Sequence, residues 1–341
     1  MKTKVSKLFK QNETYIFLIL FALSLLIQAR SGQFYTSNNI VDIASAMVVP
    51  GLFAVAEFLV ILSGGIDVSF PALASLTAYA TTKALLDINY AGGVLVPILM
   101  ALVIGAVLGA VNGYFVGYLK FPAMIVTLGT SSIFKGIMQG TLDSKQLAVI
   151  PEGMQEFGKA AIVTVTSSQS GLSSKLPLAF IVLVLVGLVV FFVLRYTMFG
   201  RGIYAIGGNE SAAYNAGFKV KRTKLLLYVF SGMIAAVAGI IRVCMMQQCH
   251  PTNMLGMEMN VIAGVVLGGT AMEGGRGTLT GCFLGTLLIV LVENSMILIG
   301  VPVVWKNVFI GLLIVIGTAV SAYQSYKQSI SHGNRKTEEV A

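Results

Sequence analysis

Charge is what this chain has least of. Lys, Arg, Asp and Glu make up 11% of its 341 residues, where soluble domains carry about a quarter. So little charge leaves too little polar surface to clothe a soluble globule. Histidine is nearly absent: His250 and His332 cannot form a His cluster. Cys244, Cys249 and Cys282 are odd in number and lack metal-ligand spacing, so they read as small apolar helix residues. No GxxxxGK[ST] loop, HExxH or GxSxG occurs, and no pair of carboxylates is set for acid–base work. The chain is therefore not expected to hydrolyse ATP by itself, to act as an enzyme or to need a cofactor or metal.

What is present is apolar sequence: 56% hydrophobic residues, arranged in repeated runs of helix length. In hydrocarbon every backbone N–H and C=O needs a partner within its own segment, which a helix provides. The fold expected is an all-α polytopic membrane protein of about ten spans: 15–29, 39–63, 69–86, 91–118, 122–139, 176–196, 223–246, 258–274, 277–299 and 302–322. The third and eighth are short and flanked by glycine, as broken or re-entrant segments are. Four lysines precede the first run without a cleavage site after it, so it reads as a retained helix. With the N-terminus inside, 15 of the 23 Lys and Arg residues fall on the inner side. That bias predicts an N-in, C-in chain and accounts for much of the +9 net charge without nucleic acid. The organisation is then a cytoplasmic segment 1–14, one transmembrane domain 15–322 and a cytoplasmic tail 323–341. The domain carries an external loop 140–175, rich in Ser, Thr and Gln, and a basic internal loop 200–222.

That internal loop is patterned. Asn209 can cap a short helix, Glu210 suits its first turn, and Gly217 can end it with a positive φ. Two turns are too few to hold alone. Ala212, Ala213 and Ala216 give a slim face that can enter a cleft; a solvated loop is the alternative. The run Ile262–Gly277 is dense in glycine, which allows close helix approach.

A few polar residues interrupt the spans. Asp67 and Ser69 follow Gly64 and Gly65 in ILSGGIDVSF, where Ser69 is a candidate N-cap for the next helix and Pro71 fits its first turn. Asp67 reads as a cap for the next helix, a binding carboxylate or a stop at the membrane surface. Glu258 and Asn260 open the eighth span. Glu293 and Asn294 lie inside the ninth, and Glu293 either lines a polar path or pairs with a neighbouring helix. Gly105, Gly109 and Asn112 before Pro122 echo Gly281, Gly285 and Asn294 before Pro302. The echo is either coincidence or an inverted repeat of spans 2–5 and 7–10, which would put a solute path at the repeat interface.

Four stretches, SGGID at 63–67, TLGTSSIFKGI at 127–137, YAIGGNESAAYNAGFKV at 204–220 and EMNVIAGVVLGGTAMEGGRGTLTG at 258–281, follow one another in order and spacing. Together they resemble permease subunits of bacterial ABC importers for simple sugars, the ribose, galactose, xylose and autoinducer-2 branch, over nearly the whole chain. The resemblance implies an inner-membrane subunit that forms the translocation path for a sugar-like solute. It implies partner ABC ATPase subunits inside, an extracytoplasmic solute-binding protein outside, and a second permease copy, identical or paralogous, all within membrane lipid. It assigns Gly207, Gly208, Asn209, Glu210, Ala213 and Gly217 to a helix that couples to the ATPase. Asp67, Ser69, Asn112, Glu258, Asn260, Glu293 and Asn294 become candidates for the path or its hinge. Such permeases commonly place glycine just ahead of the position where this chain has Pro71, which bears on substrate more than on fold. The rivals are an ion-coupled secondary transporter, for which Glu293 is the plausible coupling carboxylate, and an uncoupled channel or structural subunit.

Overall fold

A computed structural model describes residues 12–142, 145–166, 171–296, 298–306, 308–312 and 315. The first eleven residues, the tail 323–341 and much of the expected last span lie outside them. Helices build the architecture. α1 (Asn12–Ser31) leads to α2 (Ser37–Ala46) and α3 (Val48–Leu62), which join with a bend of 41°. Pro50 causes it: without an N–H it cannot bond the carbonyl of Ala46. Apart from Pro50, every residue of α3 is buried. A helix apolar on all sides belongs at the centre, and α3 is the post around which the others pack.

α4 (Phe70–Asp87) follows the SGGID linker, with Pro71 in its first turn as expected. Next come α5 (Leu95–Gly117) and α6 (Ala123–Thr141). After the polar loop, α8 (Ala179–Tyr196) runs back and α9 (Met198–Gly208), α10 (Glu210–Asn215) and α11 (Val220–Met246) complete the middle of the chain. Of the most apolar stretch of α11, 67% is buried, against 28% in α5 and α8 and 22% in α1. α11 therefore belongs to the centre with α3. The other three present Phe17, Phe21, Leu26, Leu99, Val103, Val107, Leu185, Leu188 and Phe192 outward, as lipid-facing helices do.

α5 and α11 lie antiparallel in close contact. A methyl group at Gly105 would sit 2.6 Å from the carbonyl of Gly232, and one at Gly113 2.8 Å from that of Leu225. Gly105, Gly109, Gly113 and Gly117 recur every four residues along this seam, which extends the Gly105–Gly109 pair read from the sequence. α13 (Leu279–Ser295) packs in the same way on α12 (Glu258–Leu267): methyls at Gly281 and Gly285 would strike the carbonyls of Gly268 and Gly264.

Two expectations change. The segment 140–175 is not a plain loop: it contains α7 (Glu152–Lys159) and an antiparallel hairpin of β1 (Ala161–Thr166) and β2 (Ser173–Pro177). The expected span 258–274 stops at Leu267. Gly269, Gly274 and Gly275 have positive φ, so the stretch to Gly277 turns instead of continuing the helix. Among the described residues, four helices are long and apolar enough to cross a membrane, α1, α5, α8 and α11, or five with the bent α2–α3 pair.

Candidate functional site

The sequence motifs scattered over more than 200 residues meet in one place. The linker after α3, the end of α9 and the turn after α12 touch backbone to backbone. The N–H of Gly275 donates to the carbonyl of Leu62 at 2.8 Å. A methyl at Gly207 would collide with that same carbonyl and with the nitrogen of Gly275. One at Gly274 would sit 2.5 Å from the nitrogen of Gly64 and 2.9 Å from Cα of Gly207. Gly64 and Gly274 also take positive φ, +83° and +90°. Glycine is required here on two counts, conformation and contact. Tyr204, on α9, ties the arm down by donating to the carbonyl of Gly277 at 3.1 Å, and burial raises its phenol pKa. Gly208 is different: nothing lies within 4 Å of where its Cβ would be.

From this junction the chain enters α10. Asn209 caps it, its side chain accepting from the Ala212 N–H at 2.9 Å. Glu210, in the first turn, pairs with Lys224 at 2.6 Å. At the other end the Gly217 N–H donates to Tyr214 O and the Phe218 N–H to Ala213 O, with Gly217 at φ +88°. This 5→2 and 6→1 pair is a Schellman stop. Ala213 is buried against Ile206, Val220 and Phe218, which anchors the helix. The other two small residues of the expected face, Ala212 and Ala216, are exposed, and so is Tyr214. An open cleft of about 980 Å³ flanks them, bordered by Tyr118, Lys120, Lys221 and Arg222.

Directly behind the junction lies a buried polar knot. The Asp67 carboxylate accepts from both the N–H and the hydroxyl of Ser69, each at 2.6 Å. Asn112, from α5, donates through Nδ2 to the Ser69 hydroxyl at 2.8 Å. Thr127 on α6 holds the same linker, donating to Ile66 O and accepting from the Val68 N–H. Asp67 thus organises the entry to α4, whereas the expected Ser69 side-chain cap does not form: its hydroxyl is already engaged by Asp67 and Asn112.

The residue that the sequence reading missed is Glu57. It is wholly buried in α3, and its Oε1 accepts the Asp67 N–H at 3.1 Å. Its second oxygen has no partner, and neither do Asn112 Oδ1 and the Tyr228 hydroxyl. The signal was available: Glu57 is the single acid in VVPGLFAVAEFLVIL. Three more buried hydroxyls without partners, on Ser75, Thr77 and Thr81, continue along α4.

The remaining candidates lie elsewhere. Glu293, expected inside the ninth span, is half-buried; its Oε1 contacts Lys306 at 2.9 Å and Asn260 Nδ2 at 3.0 Å. It pairs between segments, one of its two readings. Glu258 and Asn294 are half-buried, in the first turn of α12 and near the end of α13. None of the three joins the knot. Among the described residues no cluster of His, Cys, Asp and Glu could hold a metal.

A protein family described as "Branched-chain amino acid transport system / permease component" matches residues 39–317. The chain is 33% identical over 313 residues to the ribose import permease protein RbsC of Bacillus subtilis (strain 168), covering 91% of this chain and 92% of that one. It is 31% identical over 344 residues to the autoinducer 2 import system permease protein LsrC of Klebsiella pneumoniae, covering 98% and 96%. It is also 28% identical over 293 residues to the D-allose transport system permease protein AlsC of Escherichia coli (strain K12), covering 84% of each chain. No solved structure matches significantly.

Proposed function

The chain belongs to the family of transport-system permease components, and on that premise we propose that it forms the translocation path of an ATP-driven importer for a sugar or sugar-like solute. The family description names amino acids, but the relatives above are named for ribose, autoinducer 2 and D-allose. Solutes of that polyhydroxylated kind are the class we assign. The protein is a multi-pass subunit of the bacterial inner membrane and not an enzyme; ATP hydrolysis belongs to separate ATPase subunits, and a solute-binding protein delivers the cargo. In the finer reading it works beside a second permease copy in the lipid bilayer, with about ten spans, N-in and C-in, and spans 2–5 and 7–10 as inverted repeats. The segment 200–222 then lies in the cytoplasm, where its basic residues belong.

The observation that carries the reading is the junction of Gly64, Gly207 and Gly274 at the root of the capped helix α10. α10 exposes Tyr214 and most of its surface, as an element awaiting a partner would. Its root touches the linkers of α3 and α12 without side chains between them. A push on α10 by the ATPase is thus passed to the central helix through backbone contacts, with little compliance. Gly207, Gly208, Asn209, Glu210, Ala213 and Gly217 serve as the lever. Asp67, Ser69 and Asn112 set the hinge it acts on. Glu293, the carboxylate expected of the ion-coupled rival, is paired with Lys306.

Reconstitution with the ATPase subunits and binding protein in proteoliposomes tests this. Uptake of ribose, allose or autoinducer 2 should require ATP and should fail when Asn209 and Glu210 are both replaced by glycine. Uptake that persists without ATP, or that survives that replacement at full rate, would sink the reading.

A further inference from the structure

We propose that the Glu57–Asp67 pair is a proton-binding site, with Glu57 carrying the proton and a cavity on the α10 side of the molecule supplying it. Glu57 is fully buried and Asp67 is 3% exposed. They are linked through the Asp67 N–H, which donates to Glu57 Oε1. The titratable groups that face Glu57 are Asp67 from the linker and Tyr228 from α11. No Lys, Arg or His among the described residues pairs with either carboxyl. Two adjacent anions in a low-dielectric interior, with no cation beside them, cannot both persist. A proton is the smallest neutralising ligand and needs no coordination shell.

The hydrogen bonds say which carboxyl holds it. Asp67 accepts two short bonds from Ser69, an arrangement that favours its anion. Glu57 Oε1 accepts one N–H, as the carbonyl oxygen of a neutral acid does. Its Oε2 has no donor, in a knot where Asn112 Oδ1 is a second acceptor without one. A proton on Oε2 turns a buried acceptor lacking a donor into a donor among acceptors.

The supply route is a second, smaller cavity of about 300 Å³. Gly64, Gly65 and Ala123 wall it, Glu210 and Lys224 border it, and Tyr228 lines it. The Tyr228 hydroxyl is buried and without a partner, 3.1 Å from where a Cβ of Gly65 would stand. Tyr228 thus lines the cavity and lies within electrostatic reach of both carboxyls, able to pass a proton by accepting one and donating another. The Glu210–Lys224 pair of the coupling loop stands beside the same cavity, so movement of α10 would change access to the site.

Infrared spectroscopy of the purified full complex tests the site without reference to transport, so its failure and failure of the importer reading are separable. The wild type should show a protonated-carboxyl C=O band that shifts when glutamate is labelled with ¹³C and stays when aspartate is labelled. Labelling needs no variant, so a folding defect cannot mask the answer. Glu57→Gln should remove the band and Asp67→Asn should keep it. In D₂O the band's deuterium shift should be severalfold slower in Tyr228→Phe than in the wild type. A band that follows aspartate label, or no glutamate-derived band, overturns the site; an unchanged exchange rate in Tyr228→Phe overturns the route.

Discussion

The two ends of α11 are built on different plans. At 1.5 Å per residue its 27 residues separate them by roughly 40 Å. At the α10 end, backbone meets backbone and there is no room for a Cβ at Gly207 or Gly274. At the hairpin end backbone contact occurs too, with no room for a Cβ at Gly158 against the Cys244 carbonyl, but side chains also bridge elements. Asn38 Nδ2 contacts Val165 O, Leu172 O and Ser174 Oγ, Gln247 donates to Gln155 O, and Tyr79 to Lys145 O. Side-chain bridges can re-form after small displacements, whereas close-packed backbone transmits them. The first end has the construction proposed for a lever root, and at the second the β1–β2 hairpin, held by Asn38, has that of an adjustable lid.

Substitutions can break this contrast. The largest effect is expected for Gly207→Val, whose side chain must enter the space of Leu62 O and Gly275 N. Overpacking of this kind costs on the order of 1–3 kcal/mol, seen as a lower melting temperature of the complex, with ATP-driven uptake falling below detection. Gly208→Ala, one residue on, meets open space within this chain and should leave the melting temperature unchanged. Equal effects at the two positions would refute the junction as the mechanical root.

Asn209→Ala comes next. Loss of the cap should cost about 1 kcal/mol of local helix stability and lower uptake more than basal ATP hydrolysis, while Asn209→Asp restores both. At the lid, Asn38→Ala should speed amide exchange across Ala161–Thr166, by an amount corresponding to ~1 kcal/mol, and leave coupling intact. A coupling defect there would mean that the two ends are not mechanically distinct. The smallest change is expected for Glu210→Gln. Its carboxylate is 46% exposed, and such ion pairs contribute about 0–1 kcal/mol, less at high salt. Melting in low and high salt should separate wild type and variant only in the former.

Much of the proposed lever was legible in the sequence. The residues Asn209, Glu210 and Gly217 specify a capped and terminated short helix through contacts a few positions apart, and those rules act before any tertiary packing. Pro71 marked the start of α4 for the same local reason. Glu57 was passed over because its neighbours are uniformly apolar, and the stretch was read as a plain span. The segment AIVTVT is rich in β-branched residues and carried a strand signal that its polar surroundings obscured. The Ser69 cap was a sound local option that lost to two longer-range partners, one of them 43 residues away.

By itself the sequence determined that this is a helical membrane protein, that a short capped helix follows Gly208, and that glycine-rich motifs punctuate the chain. Those features rest on hydropathy and on backbone rules a few residues in range. Only the tertiary structure decided that Gly64, Gly207 and Gly274 form one junction, that Glu293 is paired and that Glu57 is not. Such facts depend on which segments pack together, and the low dielectric that makes an unpaired carboxyl consequential exists only once they have done so.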